Sequence, residues 1–90
     1  GEYWRACNSL GVMFANGEGL VARNDARAGE LFTAACNGGD RDGCRNLALL
    51  YEEGRGVPRD PAHALQLYQR ACTSGHQGAC DRARALSGGR

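Results

Sequence analysis

The chain has 90 residues, 42% apolar and 23% charged, with a formal net charge of +1. That length allows one small domain whose core would be marginal on its own. No apolar run approaches the roughly 18 residues of a membrane span, no signal peptide is recognisable, and the near-neutral balance lacks the basic excess that phosphate backbones attract, so neither membrane nor nucleic acid is the expected partner.

All 11 basic residues are Arg, and Lys is absent. This excludes a Walker A loop, a Schiff-base lysine and the S-x-x-K nucleophile arrangement, each of which needs an ammonium group. The start at Gly rather than Met fits a processed or excised piece.

In chain order, a first helix is expected at about residues 3–16, burying Leu10, Met13 and Phe14 and ending at Gly17 and Gly19. Asn24 then caps a second helix over 25–37, with Ala28, Leu31, Phe32 and Ala35 on its buried face. Gly29 inside this helix costs roughly 1 kcal/mol relative to Ala, which makes the first hairpin the softer one. Asp40 or Asp42 caps a third helix over about 42–53, where Leu47, Leu50 and Tyr51 recur at helical spacing. Gly54 and Gly56 close it, since Gly takes the left-handed conformation at low cost. Asp60 caps a fourth helix over 61–73, Pro61 takes its first position, and Ala64, Leu67, Tyr68 and Ala71 face inward. A fifth helix covers about 77–86.

The chain repeats itself. The frames ACNGGDRDGC (35–44) and ACTSGHQGAC (71–80) lie 36 residues apart, each with Cys at its second and tenth positions. Cys7–Gly17 aligns with Cys44–Gly54, and Ala28–Cys36 aligns with Ala64–Cys72; one extra residue sits in the loop between Gly19 and Asp25. A period in the thirties signifies stacked helical hairpins. The expected fold is therefore all-α, an α-solenoid of about two and a half repeats of 36–37 residues. Hairpin 1 covers 1–37, hairpin 2 covers 38–74, and 75–90 supplies the first helix of a third repeat plus a flexible C-terminal tail.

Several short motifs point nowhere further. The glycines of GEG (17–19) and GRG (54–56) follow helices and lack the third glycine of a phosphate loop, so they read as turns. DRDG (40–43) lacks the later ligands and closing Glu of a calcium loop. His63 near a helix start and His76 in a loop read as solvated, as does the Glu52–Glu53 pair.

The pattern A-x-x-x-[YF]-x-x-A-C, a short loop, [GA]-C-x-x-L, then [YF]-x-x-G-x-G-[VL] resembles the Sel-like repeat (SLR) family, relatives of tetratricopeptide repeats, over residues 3–86. The cysteine placement is similar to that of its cysteine-rich Hcp branch of secreted bacterial proteins. Departures sit at the ends. Arg84 replaces the small Ala48 or Gly11, Ser87 replaces the aromatic Tyr51 or Phe14, and Tyr3 and Trp4 stand where Asp40 and Arg41 stand in the full copy.

In such a hairpin stack the last turn of one helix lies beside the first turn of the next, so Cys36 with Cys44 and Cys72 with Cys80 are placed to bridge. The alternatives are a zinc or redox site and reduced buried thiols. A metal site is poorly supplied, with no Cys-x-x-Cys pair and only two His, and no metal or other cofactor is expected. Bridges would favour a periplasmic or secreted location, and reduced thiols a cytoplasmic one. Cys7 shares the register of Cys44 and Cys80, yet its partner would fall just before Gly1. The chain is accordingly expected to be an excerpt of a longer array whose upstream hairpin covers Cys7, Tyr3 and Trp4; the alternative is an ordinary unpaired, buried thiol at Cys7.

The resemblance also implies that the first helix of each copy lines a concave, binding surface. After core assignment Asn46, Leu49 and Glu53 remain there, with Ser9, Val12 and Asn16 as counterparts in the first copy, then Arg82 and Ala85. An apolar residue flanked by amide and charge suits an extended peptide, whereas the plainer reading packs Val12 and Leu49 between hairpins. The function implied is a non-enzymatic scaffold that binds an unidentified protein or peptide. The rivals are penicillin-binding or weak β-lactamase activity, described for cysteine-rich relatives, and a purely structural spacer. The absent Lys and the lone serines Ser9, Ser74 and Ser87 offer no machinery for the former.

Overall fold

A computed structural model describes residues 1–88. Five helices follow in order: α1 (Glu2–Asn16), α2 (Asp25–Asn37), α3 (Arg41–Glu53), α4 (Pro61–Thr73) and α5 (Gln77–Gly88). Local chemistry sets their starts. The side chains of Asn24, Asp40 and Asp60 accept from the backbone N–H groups of Arg27, Gly43 and His63, at 3.0, 2.9 and 3.1 Å. Each satisfies a first-turn donor that would otherwise lack a partner. Helices α1 and α3 stop at Gly17 and Gly54, whose φ of 68° and 71° lies in the left-handed region.

Each helix packs on its neighbours in the chain, and α1 also touches α3. The first helices of the two hairpins thus lie side by side, as in a solenoid. Alanine makes the layers close: Ala28, Ala35, Ala48, Ala64, Ala71 and Ala79 are wholly buried. Between them sit Phe32, Leu47, Leu50, Leu67 and Tyr68. Gly11, aligned with Ala48, is narrower still because the Phe32 ring lies on it; a Cβ there would come within 2.6 Å of Phe32 Cε1.

Some expected core positions are less buried. Met13, Phe14, Leu31 and Tyr51 are half-buried, and Leu10 is 40% exposed although its counterpart Leu47 is only 5% exposed. Leu47 lies one turn from Cys44, on the face that α3 turns toward α2. Among the described residues no helix covers the same face of α1. Trp4, which the expected upstream hairpin would cover, is half-buried against Gly38, while Tyr3 meets its ring edge-on and is exposed.

Both histidines also depart from the expectation of a solvated role. His63 stacks on Tyr51 at a ring-centroid distance of 4.2 Å. His76 Nδ1 accepts from the Ala79 N–H at 3.0 Å, capping α5, and its Nε2 lies 3.4 Å from Asp42. Helix α5 continues through Ser87 and Gly88, past the expected end at Leu86. Of the expected flexible tail, Gly89 and Arg90 lie outside the described residues.

Gly29 is open to improvement. A Cβ at this buried position would meet Leu50 Cδ1 at 3.6 Å and Val57 Cγ1 at 3.7 Å, ordinary contact distances. Gly29→Ala is expected to stabilise the chain by about 0.5–1 kcal/mol, by removing the backbone freedom that Gly loses on folding. A raised thermal midpoint checks this; a lowered one would show that Leu50 and Val57 hold the space.

Candidate binding groove between the first helices

The turn after α3 builds one wall of the site. Gly56, at φ 71°, is pressed against the Asp25 backbone, where a Cβ would overlap it. The adjacent Arg55 reaches across to the other hairpin, donating to the Ala15 carbonyl at 2.9 Å and pairing with Asp25 at 3.0 Å. The Arg55 guanidinium holds the Asp25 carboxyl below the usual carboxylate range, against the opposing effect of burial, and Arg23 at 3.2 Å adds to it. Arg55 is paired a second time, with Glu53 at 3.5 Å.

Between this wall and α1 lies a cavity of about 240 Å³. Phe32, Leu50 and Val12 supply apolar surface, with Leu49 and Ala15 beside them. Its polar lining is Asn16, Arg45, Asn46 and Arg55. Arg45 is half-buried and, among the described residues, makes no ion pair. Its guanidinium donates to Asn46 Oδ1 at 2.8 Å, and Asn46 Nδ2 in turn donates to Asn8 Oδ1, also at 2.8 Å. The Asn8–Asn46 bond links α1 to α3 and orients the side chain that holds Arg45.

The structure brings Val12, Asn16, Asn46 and Leu49 together in this cavity. Ser9 is exposed on α1 and does not line it, nor does Glu53, which pairs with Arg55. Arg82 lies in the next groove, paired with Glu52 and placed 6.0 Å from the centre of the Tyr68 ring. Asn46 is engaged within the protein, its Nδ2 on Asn8 and its Oδ1 on Arg45, and does not stand as a free amide. Val12 packs against the core, and Leu49 stands half-buried at the edge of the cavity. Arg45 sits one residue off the helical stripe, where the sequence pattern does not mark it. Arg55 comes from a turn, where periodicity carries no signal. The helical pattern places Phe32 and Leu50 wholly in the core, yet each also presents a surface to the cavity.

The bridges are Cys36–Cys44 and Cys72–Cys80, with Cα atoms 4.4 and 4.5 Å apart. Cys7 is free and half-buried. Among the described residues no three His, Cys, Asp or Glu side chains cluster so as to hold a metal ion, and no helix is long and apolar enough to cross a membrane.

Known proteins with the same repeat are found by sequence and by structure. Residues 4–40 and 41–76 each match the Sel1 repeat family model. The ERAD-associated E3 ubiquitin-protein ligase component HRD3B of Arabidopsis thaliana is 42% identical over 57 residues, 63% of this chain and 9% of the relative. Among solved structures, a Sel1 repeat protein from Oxalobacter formigenes superposes with a TM-score of 0.89 at 28% identity, covering 92% of this chain and 34% of that one. Helicobacter pylori cysteine rich protein B (hcpB) gives 0.82 at 29% identity, over 87% of this chain and 58% of that one. Proteins built from this repeat are generally interaction scaffolds. With both full copies matched and the disulfide-stapled hairpin stack in place, the chain belongs to the Sel1 repeat family.

Proposed function

We propose that the chain is a non-enzymatic interaction module whose groove between α1 and α3 binds an extended segment of a protein partner in an oxidising compartment. The cavity carries this reading. At about 240 Å³ it is smaller than the roughly 300–1,000 Å³ of small-molecule sites, and it suits a side chain presented by a peptide. Its apolar surface with a few fixed polar groups at the edge is the arrangement by which peptide side chains are recognised. HRD3B is by its name a component of a ligase assembly, which accords with a scaffold role. The two bridges support an extracytoplasmic location, because disulfides persist where thiols are not kept reduced.

The enzyme reading finds no support in the positions of the catalytic residue types. His63 is stacked on Tyr51, His76 caps α5, and Ser87 donates to the Ala83 carbonyl. No hydrolysis of a chromogenic β-lactam is expected; turnover that survives Ser→Ala replacement one at a time at Ser9, Ser74 and Ser87 would call for another nucleophile.

Binding is tested by panning a random nonapeptide library on the oxidised chain, then measuring the selected peptides against Asn46→Ala/Leu49→Ser. Affinity should fall about tenfold or more, equivalent to about 1.4 kcal/mol, while helical circular dichroism persists. Unchanged affinity, or a library that yields no binder, would overturn the reading.

A further inference from the structure

The repeat provides an internal comparison for the groove. In register, Ala15 corresponds to Glu52, Phe32 to Tyr68, Asn46 to Arg82, and Arg45 to Asp81. The second groove is therefore occupied by the protein's own side chains. Glu52 reaches across from α3, accepts a hydrogen bond from the Tyr68 hydroxyl at 2.8 Å, and pairs with Arg82 of α5. The first groove has lost each of these parts. Alanine stands where Glu52 would enter, phenylalanine lacks the hydroxyl, asparagine replaces the arginine, and a cavity remains. One change runs the other way: the acidic Asp81 position is taken by Arg45.

We propose that the first groove receives from its partner what the second groove already contains: a glutamate side chain, carried by an extended peptide beside an apolar residue. This rests on the peptide-binding reading above and deepens it. The methylenes of such a side chain would lie where those of Glu52 lie in the second copy, over Phe32 and past Ala15. Its carboxylate would then meet Arg45, which lines the same cavity and has no acidic partner among the described residues. Arg55 does not compete for it, because Asp25 and Glu53 already hold that guanidinium. A charge-assisted hydrogen bond from a half-buried, pre-positioned guanidinium is stronger than a neutral one, and apolar walls reduce screening by water. The neighbouring apolar residue would cover Leu49, at the edge of the cavity.

The test uses the oxidised 90-residue chain and fluorescence anisotropy with four labelled nonapeptides of Gly-Ser background. Three are capped at both ends and carry Leu-Glu-Leu, Leu-Gln-Leu or Leu-Lys-Leu at their centre; the fourth carries Leu-Leu at a free C-terminus. The glutamate peptide should bind about tenfold or more tightly than the glutamine peptide, and the lysine peptide more weakly still. Arg45→Gln should shrink the Glu/Gln ratio to about twofold or less, since it removes the group that reads the charge. Ala15→Glu with Asn46→Arg rebuilds the pair of the second copy in the first groove. That variant should keep its helical circular dichroism and lose the glutamate peptide. Ala15→Glu alone serves as a second blocking variant should the pair unfold the chain.

Equal affinity for the glutamate and glutamine peptides overturns the proposal. If both still weaken with Asn46→Ala/Leu49→Ser, the groove remains a peptide site and only its acidic preference fails. Binding of the free C-terminal peptide alone would assign the carboxylate to a chain terminus and likewise overturn it. Absence of binding by all four overturns this specificity, while the random library tests the groove itself.

Discussion

Replacing Cys36, Cys44, Cys72 and Cys80 together with Ala is expected to lower the unfolding free energy by about 5 kcal/mol. Each bridge closes a nine-residue segment, since its cysteines are eight positions apart. On the chain-entropy account such a loop contributes about 2.5 kcal/mol by restricting the unfolded chain. The two loops do not overlap, and their effects should add. Small domains have about 5–15 kcal/mol in total, so the quadruple variant approaches the limit of folding. The first bridge should matter more than the second: Cys36 and Cys44 are 1% and 3% exposed, whereas Cys72 and Cys80 are half-buried. Losing the first pair therefore also removes core packing. Urea unfolding of the two double variants and the quadruple, in a Cys7→Ser background that prevents thiol exchange, measures all three effects. Coincident midpoints for the oxidised and quadruple-Ala chains would refute the stapling account.

The features legible in the sequence are those set by neighbours in the chain. Asn24, Asp40 and Asp60 cap helices because a short acceptor three residues before a backbone N–H needs only local geometry. The cysteine frames were legible for a related reason, since each bridge spans one short turn in a duplicated frame. Leu10 was not legible, because its exposure depends on whether another helix lies on its face, and its own pattern equals that of Leu47. Asn46 shows the same limit on the functional side. Its type suggests a free amide, yet the approach of α1 to α3 ties it to Asn8, while its carbonyl oxygen holds Arg45.

The contrast between the two grooves occupies a middle ground. Ala15/Glu52, Phe32/Tyr68 and Asn46/Arg82 can be paired by subtracting the repeat period. Nothing in the period says that residues 52, 68 and 82 meet, or that 15, 32 and 46 surround one cavity. The helix stack supplies that link, and it turns three unrelated substitutions into the loss of one polar cluster.

That cluster carries the other large effect. Tyr68 is 1% exposed, and Tyr68→Ala should cost about 3–5 kcal/mol through lost burial and the cavity left among α3, α4 and α5. Tyr68→Phe keeps the ring and removes only the hydrogen bond to Glu52, for an expected loss near 2 kcal/mol, since the acceptor is a carboxylate. The hydroxyl also makes this loss depend on pH. Burial, and then the Glu52 carboxylate, push Tyr68 up to about 12 from its ordinary value of 10.0. A raised folded-state value means that the protonated form stabilises the fold. The contribution is complete below pH 10 and declines as pH rises toward 12, by about 2–3 kcal/mol at most. The stability gap between the wild type and Tyr68→Phe should therefore be constant up to about pH 10 and narrow above it. Tyr3 and Tyr51 are common to both proteins and cancel in that difference. Rapid alkaline pH jumps, monitored by unfolding rate in the Cys7→Ser background, give the comparison before the disulfides degrade. A gap that stays constant through pH 12 would show that the hydroxyl of Tyr68 is not held protonated by its surroundings.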